Sequence, residues 1–145
     1  MLFRSTLDEP WLSLRQAYHS LRQRWGELLT RVDLSLSEYG VLELCARSPA
    51  RASEVARAIG ITPAGATDVI DRLERRRFVR RIADPTDRRA VRVELTDAGV
   101  RIHREVIVAR RSVLQEIDRA MPESERRSLV LGLTALVRAL SEDPA

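Results

Sequence analysis

From Trp11 onward, apolar residues fall at Trp11, Leu14, Tyr18, Leu21, Trp25, Leu28 and Val32, in steps of three and four. That spacing predicts one long amphipathic helix. Pro10 suits its first turn, where a missing N–H costs nothing, and Asp8 and Glu9 favour the positive end of the helix dipole, so the start is expected near residue 9. Ser35 and Ser37 offer caps for a second, shorter helix with Val41, Leu42, Leu44 and Cys45 inward, stopped by Ser48-Pro49. A third element, Ser53 to Ile59, buries Val55, Ala56 and Ile59 and ends at Gly60, a residue that accepts the left-handed conformation of a helix end. Thr62 then caps a helix whose first position is Pro63, which runs through Val69, Ile70 and Leu73 to Arg75-Arg76-Arg77.

Two short helices joined by Gly60-Ile61-Thr62 predict a helix-turn-helix. Phe78–Ile82 and Ala90–Leu95 follow as two strands, the second alternating Val91, Val93 and Leu95 with Arg92 and Glu94, and the polar loop between them contains Asp84-Pro85. Thr96 caps a further long helix with Ile102, Val106, Ala109, Val113 and Ile117 on one face. Met121-Pro122 separates it from a last helix carrying Leu129, Leu133, Leu136 and Leu140. The expected fold is therefore mainly α with a small β-hairpin wing: a winged helix-turn-helix over residues 34–96, flanked by helical segments 1–33 and 97–145. A helix over residues 10–32, about 35 Å long at about 1.5 Å per residue, cannot bury its whole stripe on so small a domain, and a partner chain is expected to cover the rest.

Composition sharpens this outline. The 145 residues carry 25 basic and 21 acidic side chains, all the basic ones arginine, with no lysine and no asparagine. Between Arg72 and Arg92 stand nine arginines against three acids, a local net charge of +6 on a chain whose total is +4. Arginine grips phosphates bidentately and stays charged, so a basic helix end and hairpin point to a polyanionic partner. Runs such as Val106–Ala109 and Leu129–Leu133 are far shorter than the roughly 20 apolar residues of a membrane span, and Met1–Glu9 has no secretory pattern, so no membrane association and a cytoplasmic location are expected. A single cysteine, Cys45, fits a reducing compartment. No Gly-rich phosphate loop, nucleophile elbow or metal-ligand cluster is present in the sequence, and neither catalysis nor a cofactor is expected; His19 and His103 lack partners at ligand spacing.

The stretches Leu36-Ser37-Glu38-Tyr39, Ser53-Glu54-Val55-Ala56, Ile61-Thr62-Pro63 and Asp71-Arg72-Leu73-Glu74 are similar to the core of the MarR family of winged-helix transcriptional regulators. The most specific resemblance is Asp84-Pro85-Thr86-Asp87-Arg88-Arg89-Ala90 followed by Leu95-Thr96-Asp97-Ala98-Gly99. It implies a homodimer, its first and last helices entwined, that presents two winged domains to double-stranded DNA as a regulator, expected to be a repressor of a pseudo-palindromic operator. Two other readings stand beside it, a winged helix used for protein contact and an oxidant-responsive regulator.

In such a module the second helix of the motif enters the major groove, which makes Thr62, Ala64, Gly65, Thr67, Asp68 and Arg72 the expected reading face. Arg88 and Arg89 match the family position that reaches the minor groove, and the residues leave open which of them does so and which holds Asp87. Asp68 has two open roles, accepting from a cytosine amine or pairing with Arg72 one turn on. Arg77 stands where the family commonly has glycine, at a cost on the order of 1 kcal/mol if its backbone is left-handed. The resemblance further implies a small aromatic or phenolic effector, for which Arg15, Tyr18, His19, Arg22, Trp25 and Tyr39 supply rings and cations. Cys45 follows Leu42 and Leu44 on the second helix and is expected to be a packing thiol rather than a sensor.

Overall fold

A computed structural model of the chain describes residues 8–87 and 89–141. Its elements run α1 (Glu9–Thr30), α2 (Leu36–Cys45), β1 (Ala50–Arg51), α3 (Ala52–Ile59), α4 (Pro63–Arg75), β2 (Val79–Ala83), β3 (Val91–Leu95), α5 (Asp97–Ala120) and α6 (Glu123–Ser141). The chain divides into two compact units after Val108, so α5 begins in the first and ends in the second.

The caps explain where the helices of the first unit start and stop. Ser35 Oγ accepts from the Glu38 N–H (3.1 Å) and the Glu38 carboxylate accepts from the Ser35 N–H (2.8 Å), a reciprocal capping box that chooses Ser35 over Ser37. Gly60 takes φ 69° at the end of α3, and Thr62 Oγ1 accepts from the Gly65 N–H (3.1 Å) at the start of α4. The turn that separates the two helices is thus held from both sides. At the far end of α4 the Arg77 and Phe78 N–H groups donate to Glu74 O and Leu73 O, both at 2.9 Å, with Arg77 at φ 60°. This is the double-bonded helix end in which glycine is usual.

The three strands form one antiparallel sheet in the order β1-β3-β2, with Val79 facing Leu95, Ala83 facing Val91 and Ala50 facing Val93. β1 adds a third strand to the expected hairpin; two residues are too short to carry a periodic signal. The alternation expected in β3 is only partly realised: Val93 is buried, whereas Val91 is exposed and Leu95 half-buried, because the hairpin projects beyond the core. The core gathers Leu29, Val41, Leu42, Val55, Ala66, Ile70, Leu73, Val79, Val93 and Val106. Leu44 and Ile59, expected inside, are half-buried.

Thr96 seats α5 on the wing. Its Oγ1 donates to Arg77 O (2.6 Å) and accepts from the Gly99 N–H (3.1 Å). A Cβ at Gly99 would lie 2.0 Å from Phe78 O, so the start of α5 and the residue before β2 approach as closely as two backbones can.

The helices outside this core show a different surface. Leu28 and Leu29 of α1 are buried, but Trp11, Tyr18 and Leu21 of its expected stripe are exposed. No residue of α6 is buried, and Leu129, Leu133 and Leu140 lie in the open. Among the described residues, no helix is long and apolar enough to cross a membrane.

Candidate nucleic-acid interface

α4 separates cleanly into two faces. Ala66, Val69, Ile70 and Leu73 are buried, while Thr62, Ala64, Thr67, Asp68 and Arg72 are exposed and Gly65 is half-buried. The residues expected to read bases therefore share the accessible side of one helix and its cap. Thr67 Oγ1 donates to Pro63 O (3.2 Å), which leaves its oxygen lone pairs to accept from an outside donor. Of the two roles open for Asp68, the ion pair has no counterpart among the described residues: Arg72 Nε lies 3.6 Å from Glu38 Oε1 instead.

The arginine patch is more internally engaged than composition suggests. Glu38, buried on α2, also lies 3.7 Å from Arg76 Nη1, and Arg76 Nη2 is 3.3 Å from Asp33 Oδ2. The Arg76 guanidinium stacks 4.8 Å from the Phe78 ring centroid. Arg80 Nε donates to Glu94 across the hairpin (2.6 Å). Arg81 reaches from β2 to two carboxylates of α4, donating to Asp71 (2.5 Å) and to Glu74. The Asp71 hydrogen bond, chief among the causes, pushes the Arg81 guanidinium even further from deprotonation. Among the described residues, Arg72, Arg76, Arg80, Arg81 and Arg92 of this cluster thus face carboxylates, and the patch is in part a lattice of paired charge.

The wing is anchored by a buried acid that sequence reasoning missed. Asp84 Oδ2 accepts from Arg51 Nε and Arg92 Nε, both at 2.8 Å. Its Oδ1 accepts from the Thr86 N–H (2.8 Å), Thr86 Oγ1 (2.7 Å) and the Asp87 N–H (3.2 Å). The hydrogen bonds from Arg51, Arg92 and Thr86, the first two foremost, hold this carboxyl far below the usual carboxylate range. Arg92 also donates to Pro49 O (3.2 Å), so one side-chain cluster ties the hairpin to the segment before α3. The Asp-Pro turn signal located the loop; nothing local to residue 84 announces a partner 33 positions earlier.

At the wing tip the Arg89 N–H donates to Asp87 Oδ1 (3.0 Å) and the Ala90 N–H donates to Asp87 O (2.9 Å). Asp87 is thereby held by the Arg89 backbone, with Arg51 Nη2 4.0 Å from its other oxygen, and the Arg89 side chain is exposed. Arg88 lies outside the described residues.

The expected effector residues are brought together only in part. Arg15 and His19 line one surface hollow of about 520 Å³ on α1, and His19 and Arg22 line another of about 390 Å³. Trp25 is half-buried farther along the same helix. Tyr39, on α2, stacks instead on His103 of α5 with ring centroids 6.1 Å apart. Cys45 is buried, and burial pushes its thiol up to about 11, which keeps it in the unreactive protonated form.

The model of the MarR family matches residues 32–90. The chain is 30% identical over 127 residues to a putative transcriptional regulatory protein for the hcr operon of Thauera aromatica, covering 87% of this chain and 76% of that protein. Its fold is similar to that of a MarR family protein from Bacillus stearothermophilus, with a TM-score of 0.84, 24% identity and coverage of 98% of this chain and 100% of that one. It is also similar to FabT of Streptococcus pneumoniae, solved in complex with DNA, with a TM-score of 0.81, 24% identity and coverage of 94% and 98%.

Proposed function

Because this chain belongs to the MarR family of transcriptional regulators, built around a DNA-binding winged helix, we propose that it acts as a homodimeric repressor of a pseudo-palindromic operator. Two copies of α4 enter successive major grooves about one helical turn apart, and the wings reach the flanking minor grooves. The observation that carries this reading is the exposed face Ala64, Thr67, Asp68 and Arg72, set beside a wing whose base is fixed by Asp84. Gly65 and Ala64 allow close approach to the base edges, Thr67 and Asp68 offer acceptors, and Arg72 reaches either a base or a phosphate. Arg88 and Arg89 supply the cations at the wing tip.

The dimer rests on residues 1–33 and 97–145, leaving 34–96 to DNA. The exposed Trp11, Tyr18 and Leu21 of α1 and Leu129, Leu133 and Leu140 of α6 support it, since apolar stripes of this length call for a cover. A compact dimer seated on an operator excludes other occupants of that duplex, which makes repression the simplest output. An aromatic or phenolic acid held by Arg15, Tyr18, His19, Arg22, Trp25 and Tyr39 relieves it by favouring a conformer with the wrong helix spacing.

The test separates the two kinds of contact. Replacing Arg88 and Arg89 together by alanine weakens binding to every duplex and flattens its salt dependence, because phosphate-facing cations are lost. Thr67→Ala or Asp68→Ala shifts base preference instead. Equal losses on all operator variants contradict the reading role of α4, and unchanged affinity in the double variant contradicts the wing. Arg15→Ala and Arg22→Ala, if they leave release by every phenolic acid tried unchanged, remove the effector site.

A further inference from the structure

In the primary sequence Arg81 is one more cation in the basic run between Arg72 and Arg92. Its surroundings give it a different task. The guanidinium spans from β2 to α4, where Nη2 donates to Asp71 Oδ1 (2.5 Å) and Nη1 to Glu74, while its backbone N–H donates to the second Glu74 oxygen (3.3 Å). Asp71 and Glu74 are three residues apart, so they project from one side of the helix as a pair of acceptors matched to one planar, two-pronged donor. The Asp71 carbonyl is itself engaged, accepting from Arg75 Nε (3.3 Å). The covalent link between α4 and β2 is only Arg76-Arg77-Phe78, with Arg77 at φ 60°, and the Arg81 contacts add a side-chain brace across that link.

We infer that Arg81 is the positioning residue that sets the angle between the reading helix and the wing, and with it the sequence discrimination of the DNA complex. The inference rests on the reading that α4 and the wing both engage DNA. A protein that inserts a helix into one groove and a wing into the next must present both at a fixed separation, and a change in the angle misaligns base contacts while leaving phosphate attraction intact.

The experiment uses full-length protein and two duplexes: the consensus recovered by the wild type from a random-sequence pool, and its shuffled counterpart, each titrated at two salt concentrations. Arg81→Ala is expected to lower the consensus-to-shuffled affinity ratio about tenfold, the size of one misread base pair, with the salt slope on the shuffled duplex unchanged. The paired variant Asp71→Asn, Glu74→Gln leaves Arg81 in place but removes its anchors, and is expected to lower the same ratio by the same factor although it makes the protein more basic. It also covers the case in which Arg81→Ala fails to fold. Equal tightening on both duplexes with a steeper salt slope in the paired variant, or a shallower slope in Arg81→Ala, would identify Arg81 as a phosphate ligand and overturn the inference. A wild-type ratio in both variants overturns it as well. Wild-type protein that binds the two duplexes alike overturns the underlying reading, and this one with it.

Discussion

The winged segment and the terminal helices are written in the same leucine- and arginine-rich alphabet, yet they handle their apolar residues in opposite ways. In the winged segment Val41, Leu42, Val55 and Leu73 are fully buried, and Glu38, Asp71 and Asp84 are paired with arginines of the same segment. Along α6, Leu131 and Leu140 are 72% and 77% exposed, and the first half of α1 leaves Trp11 and Tyr18 open. One region closes on itself; in the other, α1 and α6 each carry an amphipathic pattern whose apolar residues stay largely exposed. Periodicity reports that a face is apolar, and it is silent on whose surface will cover it.

The sharpest way to break this comparison is to truncate one leucine in each region. Leu73→Ala removes a side chain from the centre of a closed core and should lower unfolding stability by about 3 kcal/mol at any protein concentration. Leu133→Ala removes one from an open face and should matter only through association, moving the melting midpoint in dilute samples and the dimer dissociation constant in sedimentation. If Leu133→Ala instead destabilises by a concentration-independent amount as large as that of Leu73→Ala, the two regions do not differ as described.

A second test addresses the polar half of the closed region. Asp84 is ionised and bonded in the folded protein, and its pKa lies below that of the unfolded chain, near 3.9. Its contribution is therefore complete above that value and is lost as pH falls beneath it. Asp84→Asn should lower the thermal midpoint at pH 7, and the gap to the wild type should close as the pH is lowered below about 4. A gap that persists undiminished to pH 2 contradicts the charge-based anchor. The smallest effect concerns the strained turn: Arg77→Gly should stabilise the protein by up to about 1 kcal/mol in denaturant unfolding, because glycine takes φ 60° without a Cβ penalty.

What could be read beforehand follows from the range of each interaction. Ser35, Gly60, Thr62-Pro63 and Thr96 act within one turn of chain, so the ends of α2, α3, α4 and α5 were legible within a few residues. The division of α4 into an exposed face and a core face followed from the spacing of Val69, Ile70 and Leu73. Contacts across the fold were not legible. Arg51 meets Asp84 over 33 positions, and Arg92 reaches Pro49 over 43. In a chain with 25 arginines and 21 acids, composition cannot tell which cation is committed inside the fold and which remains for a phosphate. Only their partners across the fold set Arg72, Arg76, Arg80, Arg81 and Arg92 apart from the other arginines of that run.

The measurement that reaches the central claim most directly is fluorescence-anisotropy binding of the purified protein to the duplex upstream of its own gene and to a shuffled duplex, each at two salt concentrations. Tight binding to the native duplex, far weaker binding to the shuffled one, and a steep loss of affinity with salt on both are expected. Weak and equal binding to the two duplexes, with little salt dependence, would contradict it.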